Sequence, residues 1–342
     1  MMKNASIFSK GDTLFLKGVA ILMMLFLHLF HGEPWISMSN PQIYVNNESL
    51  VQLLSNASNP VYIYIYISGY GLYISYSNSR NNNIKRILKL YLKFWLTLII
   101  FVPIGLLMVG SEQYPGNYET IIRNLTGWKT TYNGTLWFLF PYMLLSLSSR
   151  FLFKIYDKAK PHIIFVVTFI IYFVCIRIVS LYGEFLYSNQ YAYIPEHFFE
   201  LLFPFTLGML TAKYLVMKQA LRVFLKSWGG YFMLALIVVL VISIRHNQGV
   251  YALIYPYYIV AFCLLLVVAK KNSYLIQVIK ELGRKSTSMW FIHAYFCWYF
   301  FSAYLFYLKY PLIIFFVLVV ISYVFSFLID FIYDKIIVLL KI

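Results

Sequence analysis

Two of the ionisable residues in the first apolar segment, Leu14 to His31, have a spacing that could serve catalysis. They are Lys17 and His28. The eleven steps between them, at about 100° each, make three turns plus about 20°, so the side chains share one helix face roughly 16 Å apart along the axis. An ionisable group inside a membrane segment is costly unless it faces a cavity or a partner, so His28 is a functional candidate. The alternative is a histidine that only bridges helices.

Two further groups bear on the chemistry of His28. Glu200, near the external end of a later apolar segment, is the best carboxylate in the sequence to orient the imidazole for acid–base catalysis. His31 follows His28 by three residues and shares its face, which is the spacing of a helical metal site. Only Glu33 lies nearby and no third ligand is identifiable, so we expect no metal centre.

Basic residues at the start of the third apolar segment form a stripe: Lys85, Lys89 and Lys93 at four-residue spacing, with Arg86 beside it. Such a stripe suits the phosphates of a cytosolic ligand, and the alternative is a cluster that touches anionic lipid. A second histidine, His293, lies about a turn and a half into the ninth segment. It can hydrogen-bond a cofactor or only a neighbouring helix.

Composition decides the class of protein that must position these groups. Of 342 residues, 61% are hydrophobic and 12% are charged, whereas soluble domains carry roughly 25% charged residues. The sequence has no Gly-x-Ser-x-Gly elbow, no P-loop and no dinucleotide fingerprint. Its three cysteines lie in apolar segments, so no disulfide framework is expected. We therefore predict an all-α, polytopic integral membrane protein.

Apolar windows of about 20 residues define the transmembrane helices. They predict ten segments: 14–31, 59–77, 88–110, 135–154, 161–182, 197–216, 229–245, 250–269, 286–307 and 311–338. The loops at about 32–58 and 111–134 are the longest and could cover a site from outside.

Loop charge predicts the orientation, because Lys and Arg collect in cytoplasmic loops. The net charge is +16. Basic residues precede segment one and follow segments two, four, six and eight, including Lys3, Lys10, Lys218, Arg222 and Lys271. The odd-numbered loops hold only four basic residues against six glutamates: Arg123, Lys129, Arg245 and Lys309, against Glu33, Glu48, Glu112, Glu119, Glu184 and Glu196. Both termini are therefore predicted to be cytoplasmic and His28 to face outward. This alternation argues against nucleic acid as a partner.

Several stretches together resemble one family. Lys17-x10-His28 resembles the Arg/Lys-x10-His signature of the bacterial membrane acyltransferase-3 family. Ser68-Gly69-Tyr70 is similar to its Ser-Gly-aromatic stretch, and Lys85-Arg86-Ile87-Leu88-Lys89 to its Arg-x-x-Arg motif, with Lys89 in place of the second arginine. Gly134-Thr135-Leu136-Trp137-Phe138-Leu139 and the run from Leu282-Gly283 to His293 also resemble family patterns.

The resemblance implies a ten-helix core that takes an acyl group, usually acetyl from cytosolic acetyl-CoA, and delivers it to a hydroxyl of a surface glycan. By position, His28 would be the catalytic histidine and Lys17 its motif partner, with Arg86 and Lys89 near the donor. We predict His28 and Glu200 as catalytic residues, and the following residues as donor-binding: Lys17, Ser68, Arg86, Lys89 and His293. Residues 1–342 are expected to form a single membrane acyltransferase domain with no appended soluble domain.

The predicted function is thus O-acyl transfer, with acetyl-CoA as donor substrate, at the bacterial cytoplasmic (inner) membrane. The expected partners are acyl-CoA, a glycan acceptor and membrane lipids; a homo-oligomer is left open. His28 could act as a general base or form an acyl-histidine. One alternative is a polytopic glycan transporter or flippase without acyl transfer, in which His28 only lines a path. Another is a glycan polymerase, which the short loops disfavour.

Overall fold

A computed structural model describes residues 7–80, 82–215, 223–245, 247–270 and 273–340, which are almost entirely helical. The predicted all-α membrane fold is confirmed. Several charges used above to predict the orientation lie outside the described residues: Lys3, Lys218, Arg222 and Lys271. The predicted end of segment six, residue 216, also lies outside them.

The elements follow the predicted segments with shifted ends. In chain order they are α1 (Lys10–Phe30), α2 (Glu33–Ser37), β1 (Tyr44–Val45), β2 (Glu48–Ser49), α3 (Leu50–Asn56), α4 (Pro60–Ser77), α5 (Asn83–Met108), α6 (Tyr118–Thr126), a 3-10 turn (Gly134–Leu136), α7 (Leu139–Lys158), α8 (Pro161–Ser188), α9 (Gln190–Tyr214), α10 (Trp228–Ile244), α11 (Gln248–Ala269), α12 (Tyr274–Ala294), a π-turn (Tyr295–Tyr299), α13 (Ser302–Phe306) and α14 (Pro311–Leu340).

Six helical segments among the described residues are long and apolar enough to cross a membrane: α1, α5, the 3-10 turn with α7, α8, α11 and α14. The chain is therefore a multi-pass membrane protein. Helix α10 is apolar but has only 17 residues. Helices α4 and α9 lie at predicted segments, and α12 overlaps the start of one, but none of the three meets the same criterion. Ten crossings, and the orientation of the termini, stay predictions.

The chain divides into two compact units. The first comprises Met1–Ala20, Pro60–Asn81 and Pro141–Gly283. The second comprises Ile21–Asn59, Asn82–Phe140 and Arg284–Ile342.

Glycines bring helices of the first unit into close contact. A Cβ on Gly69 of α4 would overlap the backbone carbonyl of Phe205 in α9, and one on Gly208 would overlap that of Tyr66. Glycine lets two helix backbones approach where any larger residue would hold them apart. Tyr66 also donates a hydrogen bond to Thr211 at 3.0 Å across this contact. The Ser-Gly-aromatic stretch is therefore a helix-packing element.

The two loops that the sequence predicts to be longest lie in the second unit and contain regular structure. Residues 32–58 contain α2, a two-stranded antiparallel hairpin (β1 and β2) and α3, while 111–134 contain α6. Helix α6 begins after Asn117, whose side chain accepts from the backbone N–H of Thr120 at 2.8 Å, and ends at Gly127 with φ of 72°. Burial raises the pKa of Tyr132, whose hydroxyl donates to the carbonyl of Pro115 at 2.5 Å.

The ninth predicted segment, 286–307, is wrong as one continuous helix. Helix α12 ends at Ala294 and a π-turn follows, closed by a hydrogen bond of 2.9 Å from the N–H of Phe300 to the carbonyl of Tyr295. The helix is then interrupted, and a new short helix, α13, begins at Ser302. Hydropathy gives no sign of this break because the aromatic run is apolar throughout. π-turns are frequent at functional sites.

Candidate active site

A chain of hydrogen bonds in the second unit links His28 to the backbone of α12. Nδ1 of His28 lies 2.7 Å from Nε2 of His293, and Nδ1 of His293 lies 2.8 Å from the carbonyl oxygen of Trp290. The two imidazoles stack with their centroids 4.9 Å apart. His293 is completely buried and His28 is half-buried. The structure thus brings together the two histidines that the sequence singled out.

These contacts define which ring nitrogens carry protons. A carbonyl oxygen only accepts, so Nδ1 of His293 is the donor to Trp290. Burial favours a neutral ring, so Nε2 of His293 is then an acceptor. Nδ1 of His28 must donate to it. His28 is left with an unprotonated Nε2, which is the form of imidazole that can accept a proton or attack an electrophile.

The π-turn brings a tryptophan to the same histidine. In a regular α-helix the side chains of residues 293 and 298 would point about 140° apart. A π-turn is wider, because its hydrogen bonds join residues i and i+5, and this reduces the angle. The indole N–H of Trp298 donates to the carbonyl of His28 at 2.6 Å, and its ring meets the imidazole edge-on at 4.7 Å. Trp35 stacks on Trp298 at 6.1 Å. An aromatic pair therefore adjoins His28.

The Gly134-Thr135-Leu136 stretch supports α12 around His293. The side chain of Asn133 donates to the carbonyl of Phe291 at 2.9 Å, and the indole of Trp290 donates to the carbonyl of Thr135 at 3.2 Å. Phe138 stacks on Trp290 at 4.3 Å. These contacts hold the helical turn that contains Trp290, whose carbonyl accepts the hydrogen bond from Nδ1 of His293. The stretch therefore helps to position His293.

The basic stripe on α5 divides into two parts. Lys93 pairs with Asp330 of α14 at 2.6 Å, and Lys285 of α12 pairs with the other carboxylate oxygen at 2.8 Å. Lys93 is therefore committed to an internal ion pair and is not part of a free cationic stripe. Arg86 and Lys89 are half-buried, and neither is ion-paired within the part of the chain that the structure describes.

The remaining predicted site residues lie in the first unit. Lys17, on α1, is half-buried, and its carbonyl accepts from Tyr64 at 3.3 Å. Ser68, on α4, is half-buried next to the packing residue Gly69. Glu200, on α9, accepts from the hydroxyl of Tyr62 at 2.5 Å. That Glu200 orients His28 stays a prediction, and the contact found at Nδ1 of His28 is His293.

A family model described as an acyltransferase domain matches residues 15–331. The chain belongs to the acyltransferase-3 family. The match includes α1, where Lys17 and His28 lie, and continues into α14. It identifies an acyltransferase enzyme, as the sequence motifs predicted. No curated protein and no solved structure matches the chain.

Sequence reasoning missed several residues of this acyltransferase-3 site. His293 was predicted as donor-binding, and its contact with His28 was not foreseen. Trp290 and Trp298 were not singled out, although they lie three residues before and five after His293. Asp330 is a charged residue within the predicted segment 311–338, and its role was not predicted. A carboxylate in such a segment requires a cationic partner, and that requirement could have pointed to Lys93.

Proposed function

We propose that this acyltransferase moves an acyl group, acetyl in particular, from cytosolic acyl-CoA to a hydroxyl of a cell-envelope polysaccharide at the bacterial inner membrane. The observation that carries the proposal is the hydrogen-bond chain from His28 through His293 to the carbonyl of Trp290, because it leaves Nε2 of His28 with a lone pair. Acyl transfer to a hydroxyl needs such a group.

The reaction balances around that one nitrogen. As a general base, Nε2 of His28 takes the proton of the acceptor hydroxyl while the oxygen attacks the thioester carbonyl; the C–S bond breaks, and the CoA thiolate receives the proton. As a nucleophile, Nε2 itself takes the acyl group and releases CoA as a thiolate; the hydroxyl then attacks the acyl-imidazolium, the C–N bond breaks, and the hydroxyl proton neutralises the thiolate. In both routes positive charge develops on His28 and is stabilised by Nδ1–H donation to His293.

A sugar acceptor is supported by the aromatic pair beside His28. Trp35 and Trp298 are both half-buried, with rings stacked at an angle of 9°. Their large flat faces suit the C–H faces of an amphipathic ligand, while the indole N–H of Trp298 is already committed to the carbonyl of His28.

A phosphorylated donor is supported by the basic start of α5. Arg86 and Lys89 lie one turn apart on this helix, with no ion-pair partner among the described residues. Arginine binds phosphate through two parallel hydrogen bonds, whereas lysine acts as a compact charge, so Arg86 is expected to contribute more of the donor affinity. Lys17 and Ser68 are proposed as further donor contacts by their place in the family motifs.

The test is acetyl release from acetyl-CoA by the purified protein, followed as free CoA thiol with and without an isolated envelope polysaccharide. We expect His28→Ala to lower the rate by about 10²-fold or more, the usual scale of a general acid or base. His31→Ala is the matched control, because His31 lies on the same helix side but is exposed and contacts Asn56.

Two outcomes would contradict the proposal. One is a normal rate for His28→Ala at a normal protein level. The other is a wild-type protein that neither binds nor cleaves acetyl-CoA, which would favour the transporter alternative. Mass analysis after a single turnover without acceptor separates the two routes, because only the nucleophilic route leaves an acetyl group on His28.

A further inference from the structure

A cluster of three metal-binding side chains lies on α9, in the first unit. One potential ligand atom from each of Glu196, His197 and Glu200 lies within 4.8 Å of the other two. Glu196 and Glu200 are four residues apart, and His197 and Glu200 are three apart, so each pair lies on neighbouring positions of the helix surface. We propose that these residues bind a divalent transition-metal ion, Zn²⁺ foremost.

The burial of the Glu196 carboxylate is what favours a bound cation at the cluster. The residue is only 7% exposed, and neither of its carboxylate oxygens has a hydrogen-bond partner among the residues that the structure describes. Nδ1 of His197 contacts one of these oxygens without hydrogen-bond geometry. A buried carboxylate with unfilled acceptors is costly, and a second carboxylate beside it raises that cost. A bound cation removes both penalties.

The donor set selects the kind of ion. Two carboxylates and an imidazole suit zinc and its first-row neighbours, whereas Mg²⁺ and Ca²⁺ prefer oxygen ligands alone. Zinc–ligand bonds of about 2.0–2.2 Å require the three atoms to close by about an ångström, which rotations of these side chains can supply. Three protein ligands leave a fourth position for water.

Groups around the cluster orient the ligands. The ring of Tyr193 stacks on the imidazole of His197 with centroids 4.0 Å apart. Tyr62 of α4 donates to one oxygen of Glu200, and the hydroxyl of Tyr172, 3.3 Å from that of Tyr62, donates to the carbonyl of Ala252 at 2.6 Å. Hydrogen-bonded carboxylates and fixed imidazole rings are the usual support of metal ligands.

A cavity adjoins the cluster. Glu196 is among the residues that line this cavity of about 640 Å³ between α8 and α9, together with Cys175, Pro195 and Phe199. The other lining residues are apolar or aromatic, so Glu196 is the charged residue among them. Binding here requires nothing of His28 and does not depend on acyl transfer.

The direct test is zinc stoichiometry of the full chain in detergent micelles, after EDTA treatment and equilibrium dialysis against Zn²⁺. We expect one tightly bound zinc per chain, and at least a tenfold weaker affinity in Glu196→Gln, His197→Asn and Glu200→Gln. Glu184→Gln is the matched control, since Glu184 is exposed on α8 in the same unit. Tyr62→Phe keeps all three ligands and should weaken zinc by about tenfold through Glu200.

A wild-type chain that retains no zinc would overturn the proposal, as would cluster variants that bind zinc as tightly as the wild type. The Co²⁺-loaded wild type gives a second readout that needs no stable variant: its visible absorption should show cobalt bound by nitrogen and oxygen ligands, and excess Zn²⁺ should displace it. A spectrum identical to that of Co²⁺ in the same micelles without protein would also contradict the site.

Discussion

The two units treat their buried histidines in opposite ways. In the second unit His293 has its ring nitrogens filled by His28 and by the carbonyl of Trp290. In the first unit His197 contacts a carboxylate whose oxygens lack hydrogen bonds among the described residues. A complete chain of hydrogen bonds fixes one tautomer and leaves one lone pair for chemistry. A crowded cluster with unfilled acceptors instead favours a cation.

The same contrast holds for the buried carboxylates. Asp330 accepts from Lys93, Lys285 and Ser288, at 2.6, 2.8 and 2.6 Å. Glu196 is contacted by Nδ1 of His197, but neither of its oxygens accepts a hydrogen bond among the described residues. Replacing each carboxylate by its amide should therefore move the stability of the protein in opposite directions, which gives the comparison a direct test.

The largest expected effect on stability is that of Asp330→Asn. Removing the charge leaves two lysines, 17% and 16% exposed, without their anion. Breaking a buried pair on one side costs about 3 kcal/mol or more. We expect the free energy of unfolding in micelles to fall by about that amount. Asp334→Asn, an exposed change one turn further along α14, is the control.

Adding Lys285→Met to Asp330→Asn should recover part of the loss, because one uncompensated charge is removed. If Asp330→Asn leaves the unfolding midpoint unchanged, the ion network is not a source of stability. The buried carboxylate of the second unit would then, like Glu196 in the first, gain no stability from its protein partners.

Sequence reasoning reached the fold class, the family and His28 because each depends on local signals. Apolar windows identify membrane helices, and the Lys17 to His28 spacing lies within one helix. Contacts between distant segments could not be predicted from the sequence. Nothing local to His28 shows that its partner follows some 265 residues later. Hydropathy also does not reveal the π-turn that turns Trp298 toward His28. The Glu196–His197–Glu200 cluster was local, but Glu196 was considered only as a topology signal and Glu200 only as a partner of His28.

The next effect in size concerns His293 as a positioning residue. His293→Ala removes the acceptor for Nδ1 of His28, and we expect kcat to fall about tenfold, equivalent to one net hydrogen bond of about 1.4 kcal/mol. KM for acetyl-CoA should stay unchanged, because the interaction strengthens only as charge develops. His293→Gln retains an acceptor and should recover part of the rate. A rise in KM with normal kcat would instead support the prediction that His293 binds the donor.

The smallest effect, and the one of opposite sign, is expected for Glu196→Gln without metal. An amide needs less solvation than a carboxylate, so the variant should be more stable in EDTA than the wild type, by about 1 kcal/mol. Added zinc should reverse the order, because zinc at 100 times the wild-type dissociation constant stabilises the wild type by about 2.7 kcal/mol and a variant with tenfold weaker affinity by only about 1.4 kcal/mol. If the variant is the less stable protein in EDTA, His197 already neutralises Glu196 as an ion pair. In that case both units complete their buried charges with protein partners, and the contrast between them disappears.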